Sequence, residues 1–451
     1  MRSYFVFLIL IVFSLSTYAQ KIERKSLNVT VYNENLGVIK DTREMKIQQG
    51  ISTIKITDVS KLIDPTSVHF KLDGDVLEQN YQYDLANMSK IISKYIDKKI
   101  TLIDDKGNKI TGKLISGSTN NIVLRKNGGG LIMLPNLDNY RLSVDALPEG
   151  LITVPTLLCK VNSNQSAKQP IELSYQTAGM AWHAEYIAVI NDNDTKMDFN
   201  SWVSVKNASG TSYPNALLKL VAGDIHRAKE NDRYPMPLMK NVQLESESNF
   251  QEKAFFEYHI YHLQHPTTLA NNETKQISLF EASNINIQKK YYFKAANFRT
   301  DQGPSKVAVV VEFENTKGNN LGMPMPKGKV RLYKSDGKNL EFIGEDFIDH
   351  TPKNETIKLK VGKAFDVLVE DNATMRKKIS DKVQEITYEY KIHNRKDKDI
   401  IVSVEMPFWG YWEVLDANHK YKRKNANAAE FTVPVKKDSE EILRVVVRIT
   451  Y

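Results

Sequence analysis

Apolar and polar residues alternate along nearly the whole chain, the two-residue period of strands that bury one face. LNVTVY (27–32) and ISTIKI (51–56) alternate, with Gly50 at a turn, and 67–72 resumes the pattern after Asp64-Pro65. From Ile152 onward the period returns and persists. PIELSYQ (170–176), AEYIAVIN (184–191), DFNSWVSVKN (198–207) and ALLKLVAG (216–223) predict strands, as do FFEYHIYHL (255–263), KQISLF (275–280), KKYYFKA (289–295) and KVAVVVEFEN (306–315). GKVRLYK (328–334), EFIGEDFI (341–348) and TIKLKVG (356–362) follow. The last stretch, 364–451, holds enough alternating segments for a sandwich of its own. Many short strands at close spacing predict antiparallel, Ig-like β-sandwiches in several domains.

The period changes once. Leu85, Met88, Ile91, Ile92 and Tyr95 fall at helical spacing, predicting one short helix. Five short strands follow, KITLID (99–104), KITGKLIS (109–116), NIVLRK (121–126), GLIML (130–134) and YRLSV (140–144), separated by Gly- and Asn-containing turns. A helix leading a compact meander resembles the small SH3-like or Sm-like barrel, here inserted in the sandwiches. The resulting division is 1–20 leader, 21–84 N-terminal β unit, 85–148 small barrel, 149–285 β-sandwich and 286–451 C-terminal sandwich. Residues 226–254 lose periodicity, carry Pro235 and Pro237, and read as a long loop.

Residues 1–20 set the expected compartment. A basic start at Arg2, an apolar run over 5–12 and Thr17-Tyr18-Ala19 before Gln20 have the form of a secretory signal peptide. Export to the periplasm or cell surface follows. No later apolar run approaches the roughly 20 residues of a membrane helix, so the chain is not expected to span a membrane. The formal net charge of +8 over 451 residues is a mild steering term, not the concentrated footprint of a nucleic-acid binder. The single cysteine, Cys159, has no intramolecular partner and reads as a buried, inert thiol.

Several strings resemble one bacterial family. They are YQTAGMAWHAEYIAVI (175–190), FNSWVSVKNASG (199–210), LKLVAGDI (218–225), FEYHIYHL (256–263), ETKQISLF (273–280), NNLGMPMPKGKVRLYK (319–334), GEDFIDHTP (344–352) and GKAFDV (362–367). Together with VTVYNENLGVIKDTREMKIQQG (29–50) they are similar to the secreted, mucoidy inhibitor A-like domains of unknown function of Bacteroidetes-type envelopes. The resemblance implies an exported β-rich protein and carries no catalytic residue; the family's name points toward exopolysaccharide.

The residues themselves explain most of these strings as structure. Trp182, Tyr186 and Trp202 suit a sandwich core. Asn207-Ala208-Ser209-Gly210 is a turn signal, and Pro324, Pro326 and Gly328 lead into a strand. His259, His262 and His265 have ligand-like spacing for a helix, but strand alternation sends His259 and His262 to opposite faces, so no metal is expected there. Glu345, Asp346, Asp349 and His350 hold acid–base groups, yet read as an acidic strand end before a turn. PFWGYWEV (407–414) is the densest aromatic cluster. Alternation places Phe408 and Trp412 on one face and Trp409 and Tyr411 on the other. These four are the binding candidates: one face meets the core, and the other would be a stacking platform for sugars or a partner protein. The commoner outcome is that Gly410 breaks the strand and both faces bury. The reading is an exported envelope protein that binds or scaffolds, with no catalytic residues, no cofactor and no metal. Its alternatives are a polysaccharide-binding module and a metal-dependent hydrolase.

Overall fold

The computed structural model describes residues 23–223, 225, 250–255, 258–295, 303–336 and 338–451. The expected leader, 1–20, and most of the expected loop, 226–249, lie outside the described residues. Alternation in sequence becomes alternation in burial. Met180–Ile190 buries every second side chain, and the later part of Ser439–Thr450 does the same. The result is a mostly β, multi-domain arrangement, with five sheets among the described residues.

The largest N-terminal sheet runs Phe250–Phe255, Tyr258–Leu263, Tyr213–Ala222, Glu23–Tyr32, Gly37–Ile47, Ala167–Thr177, His69–Lys71. A three-stranded sheet of Gly50–Ile56, Thr156–Ser163 and Asp75–Gln82 accompanies it. Val29, Ile39, Ile54, Val161 and Leu173 belong to one shared core. Residues 21–84 are therefore not a unit by themselves. Glu23–Tyr32 buries Leu27, Val29 and Val31 and needs a neighbour on each edge. It finds Gly37–Ile47 on one side and Tyr213–Ala222 on the other. The expected strand 255–263 is also revised: Phe250–Phe255 and Tyr258–Leu263 pair antiparallel as two arms of a hairpin.

The insertion keeps to itself. Asn87 caps the helix Met88–Lys94 by accepting from the Lys90 amide, an N-cap bond. Five strands follow in the order Tyr140–Ser143, Lys99–Asp104, Lys109–Gly117, Ile122–Arg125, Leu131–Leu134. They have their own core of Ile92, Tyr95, Ile100, Leu102, Leu114, Ile122 and Leu124. The two end strands, four residues each, do not pair with one another. The sheet is curled and its two ends stay open, a half-barrel behind one short helix.

A fourth sheet orders Glu273–Asn286, Lys196–Asn207, Met180–Ile190, Gly328–Ser335 and Leu340–Ile348. It spans the expected boundary at 285/286, which is thereby corrected. The C-terminal sheet has nine strands, Tyr411–Ala417, Ser439–Thr450, Val383–Asn394, Thr356–Ser380, Ser305–Glu314, Gln288–Lys294, Ile400–Pro407, Ala428–Val435 and Tyr421–Asn425. Residues 364–451 do not fold alone, because 288–294 and 305–314 sit in the middle of this sheet. Its two outermost strands, 411–417 and 421–425, are joined by only three residues, 418–420. Such a connection reaches at most about 14 Å, so the sheet must curl until its edges meet around Phe293, Val402, Phe431 and Val445.

Pairing is not purely antiparallel. Glu23–Tyr32 with Tyr213–Ala222, Met180–Ile190 with Gly328–Ser335, and Gln288–Lys294 with Ile400–Pro407 are parallel. In each case long stretches of chain separate the two strands, as parallel pairing requires. Trp182 and Tyr186 are core residues, but Trp202 is only half-buried. It alternates against Ser201 and Val203, which take the inward face.

Three strand ends share a device that alternation does not reveal. Asn207 donates through Nδ2 to the carbonyls of Thr211, Leu269 and Ala270 and accepts from the Ser209 amide. Asn315 grips Met323 and Pro352 carbonyls and the Gly322 amide. Asn394 does the same with Lys398, Lys436 and Lys396. All three are buried, and each amide satisfies loop carbonyls that water cannot reach.

Candidate functional site

The aromatic cluster divides as alternation predicts, although the strand is broken. Ile400–Pro407 ends before Phe408, and Tyr411–Ala417 begins after Gly410. Gly410 has φ +71°, and a Cβ there would lie 2.4 Å from the Thr450 carbonyl oxygen. Only glycine fits this turn. Phe408 and Trp412 drop out as binding candidates. Both are buried, with ring centroids 4.8 Å apart. Trp412 Nε1 donates to the Ala426 carbonyl at 2.6 Å, the Phe408 amide donates to Asn427 at 2.7 Å, and the Arg423 guanidinium stands 4.1 Å from the Trp412 ring. They are core because the curled sheet closes its seam over them.

Trp409 and Tyr411 do the opposite. They are 68% and 70% exposed. Gly410 breaks the strand, but the two faces do not both bury. Tyr411 lies beside Thr450 in register, so the exposed Tyr451 belongs to the same end of the molecule. Two large rings stand in solvent on a turn that a buried pair holds from below.

The histidine string does not converge. His259 and His262 sit on Tyr258–Leu263 with opposite parity, and His265 lies beyond the strand and is exposed. Among the described residues no three His, Cys, Asp or Glu side chains are grouped as metal ligands would be. The acidic string is dispersed too. Glu345 takes Lys329 at 3.1 Å, Asp346 accepts the amides of Phe347 and Lys360, and Asp349 accepts the His350 amide. His350 Nδ1 accepts the Lys327 amide at 3.2 Å, which assigns its ring proton to Nε2 when neutral.

Tertiary structure assembles a second surface that spacing could not show. The strings at 175–190, 199–210, 273–280, 319–334 and 344–352 supply all or part of each of the five strands of the fourth sheet. On its outer face, register lines up Trp202, Glu185, Lys329 and Phe347 in one row, and His183 pairs with Ser204 in the next. The face holds a groove of about 610 Å³ lined by His183, Glu185, Lys327, Lys329, Phe347 and Asp349. Glu185 accepts from Gln276 at 2.8 Å and Ser204 at 3.3 Å, with Arg331 at 3.6 Å. Phe347 is 69% exposed. A Cβ on Gly328 would meet the Ala184 carbonyl oxygen at 2.2 Å, so the floor of the groove depends on that glycine. Beneath it the Tyr186 hydroxyl donates to the Pro326 carbonyl at 2.7 Å, and burial pushes that hydroxyl far above the usual tyrosine range. Of the groove's charged groups, Glu185 meets His183 at 3.7 Å and Arg331 at 3.6 Å, Lys329 meets Glu345 at 3.1 Å, and Lys327 meets Glu34 at 4.0 Å.

No family model matches this chain, and no curated protein matches it. No helix among the described residues is long and apolar enough to cross a membrane.

Proposed function

We propose that the protein is an exported envelope component that acts by binding, with Trp409 and Tyr411 stacking on the rings of a polysaccharide. The observation that carries this reading is the exposure of those two rings on a turn anchored by Phe408 and Trp412. Aromatic faces offer large apolar contact at little loss of side-chain freedom, and sugar rings present matching C–H faces. Export rests on residues 1–20. Kinship with mucoidy inhibitor A-like domains rests on the strings quoted above, five of which form one sheet.

The test is polysaccharide affinity measured on the mature chain, against a panel of neutral and acidic glycans. Trp409→Ala and Tyr411→Ala are expected to lose binding while their unfolding curves stay put. Glycan affinity unchanged in both variants refutes the reading.

A further inference from the structure

The middle of the C-terminal sheet carries an electrostatic anomaly. On its outer face a groove of about 680 Å³ is lined by Tyr292, Lys294, Lys306, Lys360 and Lys363, with Pro304 and Ser305 at one end. No carboxylate is among its lining residues. Register explains why the lysines share a face. Ala308 pairs with Tyr292 on one side and Lys363 on the other, and Val310 pairs with Lys360. Lys306 lies two residues before Ala308, opposite in parity to the buried Val307. Neighbouring strands are about 4.8 Å apart, so four ammonium groups spread across three strands over about 10 Å.

Many of the chain's other lysines meet carboxylates. Lys40 meets Glu172, Lys160 meets Glu78, Lys289 meets Asp194, and Lys391 meets Glu440. In the groove only Lys294 reaches a carboxylate, Glu405 at 3.7 Å, and Glu405 is already held by Lys424. Among the described residues no carboxylate stands within ion-pair distance of Lys306, Lys360 or Lys363. The carboxylates nearby are committed. Glu312 takes Lys290 and Lys358, and Asp346 accepts backbone amides. Like charges so placed repel one another, and a sheet face without a ligand intersperses signs instead.

We infer that this groove binds a linear acidic polysaccharide, with Lys294, Lys306, Lys360 and Lys363 meeting carboxylates along it. The charges are strung over three strands and do not converge on one point, which suits a chain of separated anions better than a single phosphate. They are lysines, point charges without the bidentate fork that arginine gives to phosphate. Tyr292 lines the groove, and Phe365 is 80% exposed with the Lys306 ammonium 5.0 Å from its ring. The Tyr292 ring in turn has the Lys424 ammonium 5.3 Å from its centre, a further cation beside the groove. Lys294 pairs in register with Glu405, four residues before Trp409 on a parallel neighbour, so groove and aromatic turn lie toward the same end of the sheet. The inference does not depend on Trp409.

The experiment compares the mature chain with the variant Lys306→Gln/Lys360→Gln/Lys363→Gln, using polygalacturonate, neutral dextran and single-stranded oligothymidine as probes. A control, Lys99→Gln/Lys109→Gln/Lys126→Gln, removes the same charge from the inserted sheet. Polygalacturonate affinity is expected to fall about tenfold in the groove variant and little in the control. It should also weaken as salt rises. The groove variant should melt no lower than the parent, because repulsion is relieved. Equal losses in groove variant and control, or oligothymidine bound more tightly than polygalacturonate, overturn the inference. Loss of binding in Trp409→Ala with the groove variant unchanged refutes the groove alone and leaves the aromatic reading intact.

Discussion

Trp412 and Trp409 stand three residues apart in one aromatic cluster, and the fold assigns them opposite energetics. Trp412→Ala removes a buried indole that packs on Phe408, takes the Arg423 guanidinium on its face and donates to the Ala426 carbonyl. Large buried aromatics cost about 3–5 kcal/mol when truncated. The upper part of that range is expected here, because a carbonyl at the sheet's seam loses its donor, a loss of about 1 kcal/mol or more. Trp409→Ala removes a ring that is 68% exposed and should change stability by about 0.5 kcal/mol or less. With a urea dependence of about 2 kcal/mol per molar, the first variant lowers the midpoint of the C-terminal transition by about 2 M and the second barely moves it. Circular dichroism in urea reads both, followed at the transition that the Trp412 variant shifts, since several cores need not unfold together. Equal shifts in the two variants would show that the seam does not close over Trp412 and would refute the division of the cluster.

Asn207→Ala removes the two N–H donors that the Thr211, Leu269 and Ala270 carbonyls share and should cost about 2 kcal/mol or more in a denaturant melt; a loss below about 1 kcal/mol would mean that water replaces the amide. Burial pushes the Cys159 thiol up to about 11, so a thiol reagent at pH 8 should label it only after denaturation, and rapid labelling of native protein would contradict its burial. Burial alone would raise the Asp194 carboxyl, but Lys289 and Lys334 outweigh it and hold it below the usual range. Its contribution is therefore present above its unfolded value of about 3.9 and lost as pH falls through the lower folded value. Asp194→Asn should weaken the protein at neutral pH and flatten its acid unfolding below pH ~4; an acid limb identical to the parent's counts against the ion pair. N-terminal sequencing of protein recovered from the envelope should begin at Gln20 or Lys21, and an intact Met1 would remove the export reading.

Alternation alone marked many of the segments that become strands and, within most of those, which side chains turn inward. That is local information, since a period of two is written in neighbouring residues. It also marked the helix at 88–94, the insertion between the main strands, and the opposed faces of Trp409 and Trp412. Tertiary structure decided everything that depends on pairing partners. Hydrogen-bonding edges carry no label in the sequence, so nothing local tied 23–32 to 213–222 or 288–294 to 400–407. The same gap hid the lysine groove. KKYYFK, KVAVV and KLKVGK each look like ordinary solvated strands, and their unmatched charges meet only when three distant strands lie side by side. Trp202 was misread for a related reason: its parity places it opposite Val203, and whether that outer face is covered depends on distant chain. Periodicity is a property of one strand, whereas a binding surface is a property of several.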